Sequence, residues 1–245
     1  MTFKSLFFGT LMALGLATLG ATAQAQQANQ QAQQLEQLVG LLKQHPEVIG
    51  DVLNSVERYI EGKEASRNAQ AKYESWLYDN DKVQPWYGAA DPKLTVLVYT
   101  DYDCPYCKRI EPHLQRLVEE FDGVKVINIV VPLRQQQTEG SNVNPSEFAM
   151  NVWQHQPEQY PEVAKLLYAK NGLHTAQSIE HVARLTGTRG QLNNPQVARR
   201  NLMENYKAFS DFGYRGTPTI VVGSAVIPGF VEYDQLQALV QEMLD

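Results

Sequence analysis

Cysteine is scarce in this chain: 245 residues carry only two. A small secreted fold stapled by several disulfides is thereby excluded, and so is a zinc domain built on four thiolates. A basic excess is missing as well. Lys and Arg number 21 against 27 Asp and Glu, a net charge of −6, too little positive charge to track a phosphate backbone, so nucleic acid is not an expected partner. Beyond residue 25 no apolar run approaches the ~20 residues that a membrane-spanning helix needs. No internal repeat is evident. What is there excludes full-length disorder: 43% of residues are hydrophobic and 20% charged, enough apolar surface to offset the entropy of ordering a core. At roughly 100–200 residues per domain, the length admits one large domain, or one domain with an appendage.

Residues 1–25 have the pattern of an export signal. Lys4 supplies the positive start, Phe7 to Leu19 is apolar apart from Gly and Thr, and Ala21-Thr22-Ala23 and Ala23-Gln24-Ala25 offer small-x-small cleavage sites. The apolar run is short for an anchor. A cleaved signal is therefore expected, with the mature protein soluble in an exported, oxidising compartment, the periplasm. In such a compartment two cysteines three positions apart oxidise to each other unless something keeps them reduced.

Residues 26–34 are rich in Gln and Ala and read as a solvated lead-in. Leu35, Leu38, Leu42, Ile49, Val52, Val56 and Tyr59 then recur at alternating three- and four-residue intervals, with His45 in the one vacant slot. Pro46 interrupts this pattern. A proline inside a helix costs about 3 kcal/mol, which predicts two helices meeting at His45-Pro46 in place of one rod. The apolar stripe over residues 26–82 is expected either to fold back on the rest of the chain or to associate with copies of itself, self-association being preferred.

The texture changes from Lys93. Leu94 to Tyr99 is a β-branched, aliphatic and aromatic run suited to a buried strand; Ile110, Leu114, Leu117, Val118 and Phe121 repeat with helical period; Val124 to Val131 is a second buried strand. Strand–helix–strand predicts a parallel βαβ unit. Residues 142–213 carry helix signals and no strand signal. Thr219 to Val222 and Ala225 to Ile227 flank a Gly223-Ser224 turn, a hairpin pattern, and a last helix follows with Leu236, Leu239, Val240 and Met243 on one face. The fold class is α/β, with a signal at 1–25, a helical arm at 26–82 and an α/β domain at 83–245 whose helical block spans about 142–213.

Cys104 and Cys107 fall where strand gives way to helix. At a helix N-terminus unsatisfied N–H groups favour an anion, so the Cys104 thiolate is stabilised there, while Cys107, one turn further in, is shielded. An outer sulfur that exchanges with a partner's disulfide and an inner one that resolves the mixed disulfide is chemistry suited to this spacing. A purely structural disulfide closes too small a loop to contribute much. Covalent haem attachment needs His at position 108, which is Lys. No histidine has metal-like spacing to the pair, so no resident metal is expected, although two thiolates leave a copper(I) carrier open as a reading of another class.

Cys104-Pro105-Tyr106-Cys107 after a buried strand, with Pro112 beyond it and Gly216-Thr217-Pro218-Thr219 before a late strand, resembles the active site and cis-proline loop of the thioredoxin fold. The helical block between the two halves resembles the DsbA branch. Asp101-Tyr102-x-Cys-Pro-Tyr-Cys, the ending Ile227-Pro228-Gly229 and an amino-terminal arm with a Pro46-Glu47-Val48 segment are similar to the DsbA-like group that includes the suppressor-of-copper-sensitivity C proteins. The resemblance implies a thioredoxin fold with a helical insertion, preceded by a helical arm. It implies Cys104 as nucleophile, Cys107 as resolving thiol, Pro105 and Tyr106 as the active-site loop, and Thr217 with a cis Pro218 as the substrate-binding edge. No cofactor is implied beyond the Cys104–Cys107 disulfide itself. Many thioredoxin-fold enzymes place a buried carboxylate six residues before the first cysteine; here that position is Val98. Asp101 and Asp103 are candidates to move the proton in its place, although the preferred reading of both is as solvated loop acids.

Oxidase, isomerase and reductase share this chemistry. Thr before the proline and an apolar arm resemble isomerases and the copper-suppressor proteins, which places isomerase or reductase ahead of a DsbA-type dithiol oxidase. Expected partners are exported client proteins with cysteines, a membrane redox partner, and further copies of this chain through the arm.

Overall fold

The computed structural model describes residues 13–245, with side chains from residue 29 onward and at Gln26. The export signal expected over 1–25 lies, apart from its backbone from Ala13, outside the described residues. No described helix is long and apolar enough to cross a membrane. The chain divides into two compact units, one up to Glu61 and one from Gly62.

In the first unit, helix α1 spans Ala13–Gln44 and α2 begins at Ile49 and runs to Tyr78. The two helices meet where the proline directs. Its ring disfavours helical geometry in the residue before it, His45 leaves the helix (φ −128°, ψ 66°), and Pro46 opens the 3₁₀ turn Pro46–Val48. No described side chain of this unit is buried; Leu35, Leu38, Leu41, Ile49, Leu53 and Val56 are all exposed.

The second unit is built on a five-stranded sheet in the order β1-β3-β2-β4-β5. Strands β1 (Trp86–Gly88), β2 (Leu94–Thr100), β3 (Val124–Val130), β4 (Thr219–Val222) and β5 (Ala225–Pro228) are joined by α3 (Pro105–Glu120) and by a helical block of α4 (Pro145–His155), α5 (Tyr160–Ala169), α6 (Ala176–Leu185) and α7 (Gln196–Asp211); α8 (Tyr233–Leu244) follows the sheet. β2 pairs parallel with β3 and antiparallel with β4, so β2-α3-β3 is the βαβ unit expected and β4-β5 the hairpin. Strand β1 has no counterpart in the sequence pattern. At three residues it shows no period, and it pairs antiparallel with β3. Gly88 (φ +94°) makes that approach, because a Cβ there would meet the Val124 carbonyl oxygen at 2.3 Å.

Side-chain alternation along β2 divides the core. Val96 and Val98 face Ile110, Leu114 and Leu117 of α3 and Leu236 and Val240 of α8. Leu97 and Tyr99 face Ala69, Tyr73 and Leu77 of α2 and Phe209 of α7. The last turns of α2 thus pack with the sheet, within the compact unit that begins at Gly62. A third cluster, including Phe148, Met150, Val163, Leu167 and Ile179, fills the helical block and includes both cysteines.

Candidate active site

Strand β2 ends at Thr100, and the turn Asp101–Asp103 delivers the chain to α3. The Cys104 N–H closes that turn on Asp101 O at 3.0 Å. Cys104 is then the N-cap of α3, extended at φ −81°, ψ 122°, with Pro105 at the first helical position, where a missing N–H costs nothing. The open first turn is therefore aimed at the Cys104 sulfur. Cys107 lies one turn in and is fully buried; Cys104 is 5% exposed, and both are free thiols. Pro105 and Tyr106 are the exposed members of the loop, the Tyr106 ring 5.7 Å from the Arg109 guanidinium.

The late loop comes to the same sulfur. Thr217–Pro218 is cis, and the Cys104 sulfur lies 3.1 Å from Thr217 O, a hydrogen bond that the protonated thiol donates. Gly229 N–H donates to Pro218 O at 2.8 Å, tying the loop to the end of β5. Residues 104 and 217, far apart in sequence, thus share one contact. A cleft of about 310 Å³ continues from here, lined by Tyr214, Arg215, Thr217, Pro218, Val226 and Gly229.

The two thiols are driven apart in acidity. Cys104 is lowered from 9.0 to about 6, first by the hydrogen bond that its sulfur receives from the Cys107 thiol and then by the Cys107 N–H, by Thr217 and by the Tyr106 N–H, against the opposing effect of burial. Those N–H groups act as oriented dipoles, since neither closes a capping hydrogen bond to the sulfur. Cys107 is pushed well up, chiefly by burial and next by its bond to Cys104. At neutral pH one sulfur is a thiolate at the surface of the site and the other a thiol beneath it, an arrangement suited to attack by the first and resolution by the second.

The acids of the turn are not solvated, contrary to the preferred reading of the sequence. Asp101 and Asp103 are 1% and 3% exposed. Asp101 accepts the N–H groups of Asp103 (2.8 Å) and Arg134 (2.9 Å), and Asp103 Oδ1 accepts that of His174 (2.7 Å). Burial raises both carboxyls. Val98, at the position of the expected buried acid, is a core residue. A carboxylate that sequence reasoning missed is Glu111, one turn beyond Cys107 on α3. It accepts from Gln115 Nε2 (2.8 Å) and Tyr87 O–H (3.3 Å), and burial raises it. His113 packs on Phe230 and Tyr233. Among the described residues no three His, Cys, Asp or Glu side chains cluster as a metal site.

A helix-mouth cysteine pair meeting a cis-proline loop on a sheet of this order, with a helical block between the halves, defines a thioredoxin-fold protein of the thiol–disulfide oxidoreductase class. The chain belongs to the thioredoxin family, whose model, described as Thioredoxin, matches residues 80–242. Among solved structures it is similar to the catalytic domain of Proteus mirabilis ScsC, with 33% identity, 73% of this chain and 98% of that one covered, and a TM-score of 0.66. It is similar too to a periplasmic thioredoxin-like protein from Salmonella enterica serovar Typhimurium, at 32% identity over 70% of this chain and 95% of that one, TM-score 0.64. Proteus mirabilis ScsC in a transitional conformation matches at 29% identity over 89% of this chain and 98% of that one, TM-score 0.66. The resemblance to the ScsC-type group therefore holds. No curated protein matches the chain.

Proposed function

We propose that this chain is an exported thiol:disulfide oxidoreductase that acts on protein disulfides through Cys104 and Cys107, working as an isomerase or reductase. The observation that carries the reading is the contact between the Cys104 sulfur and Thr217 O, with Cys107 buried directly behind. The Cys104 thiolate attacks one sulfur of a client disulfide. That S–S bond breaks, a Cys104–client disulfide forms, and the released client thiolate takes a proton or attacks elsewhere in the client, which is isomerisation. Where the client does not rearrange, the Cys107 thiol loses its proton and its sulfur attacks Cys104. The client leaves reduced and the protein is left as the Cys104–Cys107 disulfide, two electrons poorer. Return to the dithiol then requires a reductant, the role assigned to a membrane redox partner. The backbone edge at Thr217 and the adjoining cleft offer an extended client segment a place to pair.

The exposed apolar stripe of the first unit supports assembly of several copies through the arm, so that more than one site faces one client. Export to the periplasm is supported by the residue pattern over 1–25 and by the periplasmic protein among the similar structures.

One observation favours a second reading, a dithiol oxidase. A thiolate at about 6 stabilises the reduced form and so makes the disulfide oxidising. Equilibration with glutathione buffers separates the two. A potential near that of glutathione or below supports the isomerase or reductase, and a much higher one the oxidase. Insulin reduction that survives Cys104→Ala removes the redox assignment altogether.

A further inference from the structure

The helical block reaches back over the mouth of α3. The loop between α5 and α6 presents the carbonyls of Lys170 and Gly172 to Lys108 Nζ, at 2.5 and 2.9 Å, and the N–H of His174 to Asp103 Oδ1. Asp103 directly precedes Cys104 and Lys108 directly follows Cys107. One loop thus grips an anion and a cation on either side of the sulfur pair. Neither is an ordinary surface charge. Asp103 Oδ2 is buried with no hydrogen-bond partner among the described residues. The Lys108 head, on a flexible stem that usually keeps its hydration, is pinned by two carbonyls in a half-buried position. Asp101 differs from Asp103 in this respect: both its oxygens accept backbone N–H groups.

We propose that Lys108 and Asp103 are opposed positioning residues for the Cys104 sulfur, fixed by the α5–α6 loop, the ammonium favouring the thiolate and the carboxylate opposing it. The assignment rests on Cys104 being the exchanging thiol. The Lys108 ammonium and the Cys104 sulfur attract each other. Lys170 and Arg134 join Lys108 in stabilising the Asp103 carboxylate. His174 is neutral, held between Leu167 O and Ser178 Oγ. Glu111, one turn along α3 from Cys107, is engaged by Tyr87 and Gln115. The cis-proline loop contributes a carbonyl, and its Arg215 is exposed. Because the Cys104–Cys107 disulfide carries no charge, each of these charges acts on the dithiol form, and thiol acidity and redox equilibrium move together.

The test titrates the thiolate by its ultraviolet absorbance in the full mature protein and measures its equilibrium with glutathione. Lys108→Met raises the midpoint by about one pH unit and shifts the equilibrium about fivefold toward the disulfide at neutral pH. Asp103→Asn, which keeps the oxygen that His174 needs, moves both in the opposite direction. Lys108→Arg stays with the unsubstituted protein. Shifts of the same sign for Lys108→Met and Asp103→Asn, or no shift in either, overturn the proposal. If Asp103→Asn does not fold, Lys108→Met against Lys108→Arg decides alone: loss of the charge must move the midpoint and its retention must not. Failure of the underlying reading looks different, since insulin reduction would then not depend on Cys104 at all.

Discussion

The two units of this chain use the same apolar residues to opposite ends. Up to Glu61, leucines, isoleucines and valines stand in solvent on two helices with no buried side chain among the described residues; from Gly62 the same residue types fill three clusters around a five-stranded sheet. Helix α2 passes from one regime to the other: Leu53 is 55% exposed and Leu77 2%. Helical periodicity is alike on both sides of the boundary. What differs is whether a sheet face is present to receive the stripe, and that is a property of the fold beyond the helix.

The largest effect that sharpens this contrast is chemical. Cys104→Ala abolishes insulin reduction, whereas Cys107→Ala, which removes only the resolving sulfur, leaves attack intact and accumulates a mixed disulfide visible by mass spectrometry; no substitution in the arm does either. Next in size is packing. Leu114→Ala, at a fully buried site under the sheet, costs about 2–5 kcal/mol in urea unfolding, while Leu53→Ala changes stability by no more than about 0.5 kcal/mol. Equal costs would show that the arm is packed as the domain is. A chain beginning at Gly62, which keeps Ala69, Tyr73 and Leu77 in the core, is expected to sediment as a monomer and the mature protein as an oligomer. Monomers in both cases remove the arm as an assembly device.

Smaller effects follow from protonation inside the domain. The Cys104 thiol is near 6 in the folded dithiol against 9.0 for a free thiol, so the unfolded chain binds more protons between those values. Stability of the reduced form therefore rises with pH from about 6 to 9 and is lost as pH falls through 6; the oxidised form lacks this slope. His174 is lowered by burial from 6.5 to about 4. Here too the unfolded chain binds the extra proton, and both redox forms lose stability as pH falls from 6.5 to 4. Smallest is the exposed pair of Lys72 and Asp211, 2.8 Å apart: Lys72→Ala leaves the urea midpoint unchanged within error, as exposed ion pairs do.

Much of this was legible beforehand because its signals are local. Continuous apolar runs mark β2 and β3, Pro46 breaks the arm, and Cys104 through Cys107 with Thr217-Pro218 mark the candidate site, whose two halves the fold brings into contact. Elements that were not legible depend on contacts across the chain. Asp101 and Asp103 look like loop acids until the α5–α6 loop, some seventy residues on, covers Asp103 with the His174 N–H. Lys108 counts in the sequence only as the residue that excludes a haem motif, until two distant carbonyls fix it. Strand β1 is too short to carry a period, and the packing of Tyr73 and Leu77 against the sheet is recorded by no spacing within α2.

One sulfur of the pair is an acidic thiolate at the helix mouth, nearly buried but beside the cis-proline loop, and the other is a fully buried reserve. Alkylation of the reduced mature protein with iodoacetamide across pH, mapped by mass spectrometry, tests this division most directly. The expected result is modification at Cys104 alone, with a rate that rises through a midpoint near 6. First modification at Cys107, or a midpoint near 9.0 at Cys104, would contradict it.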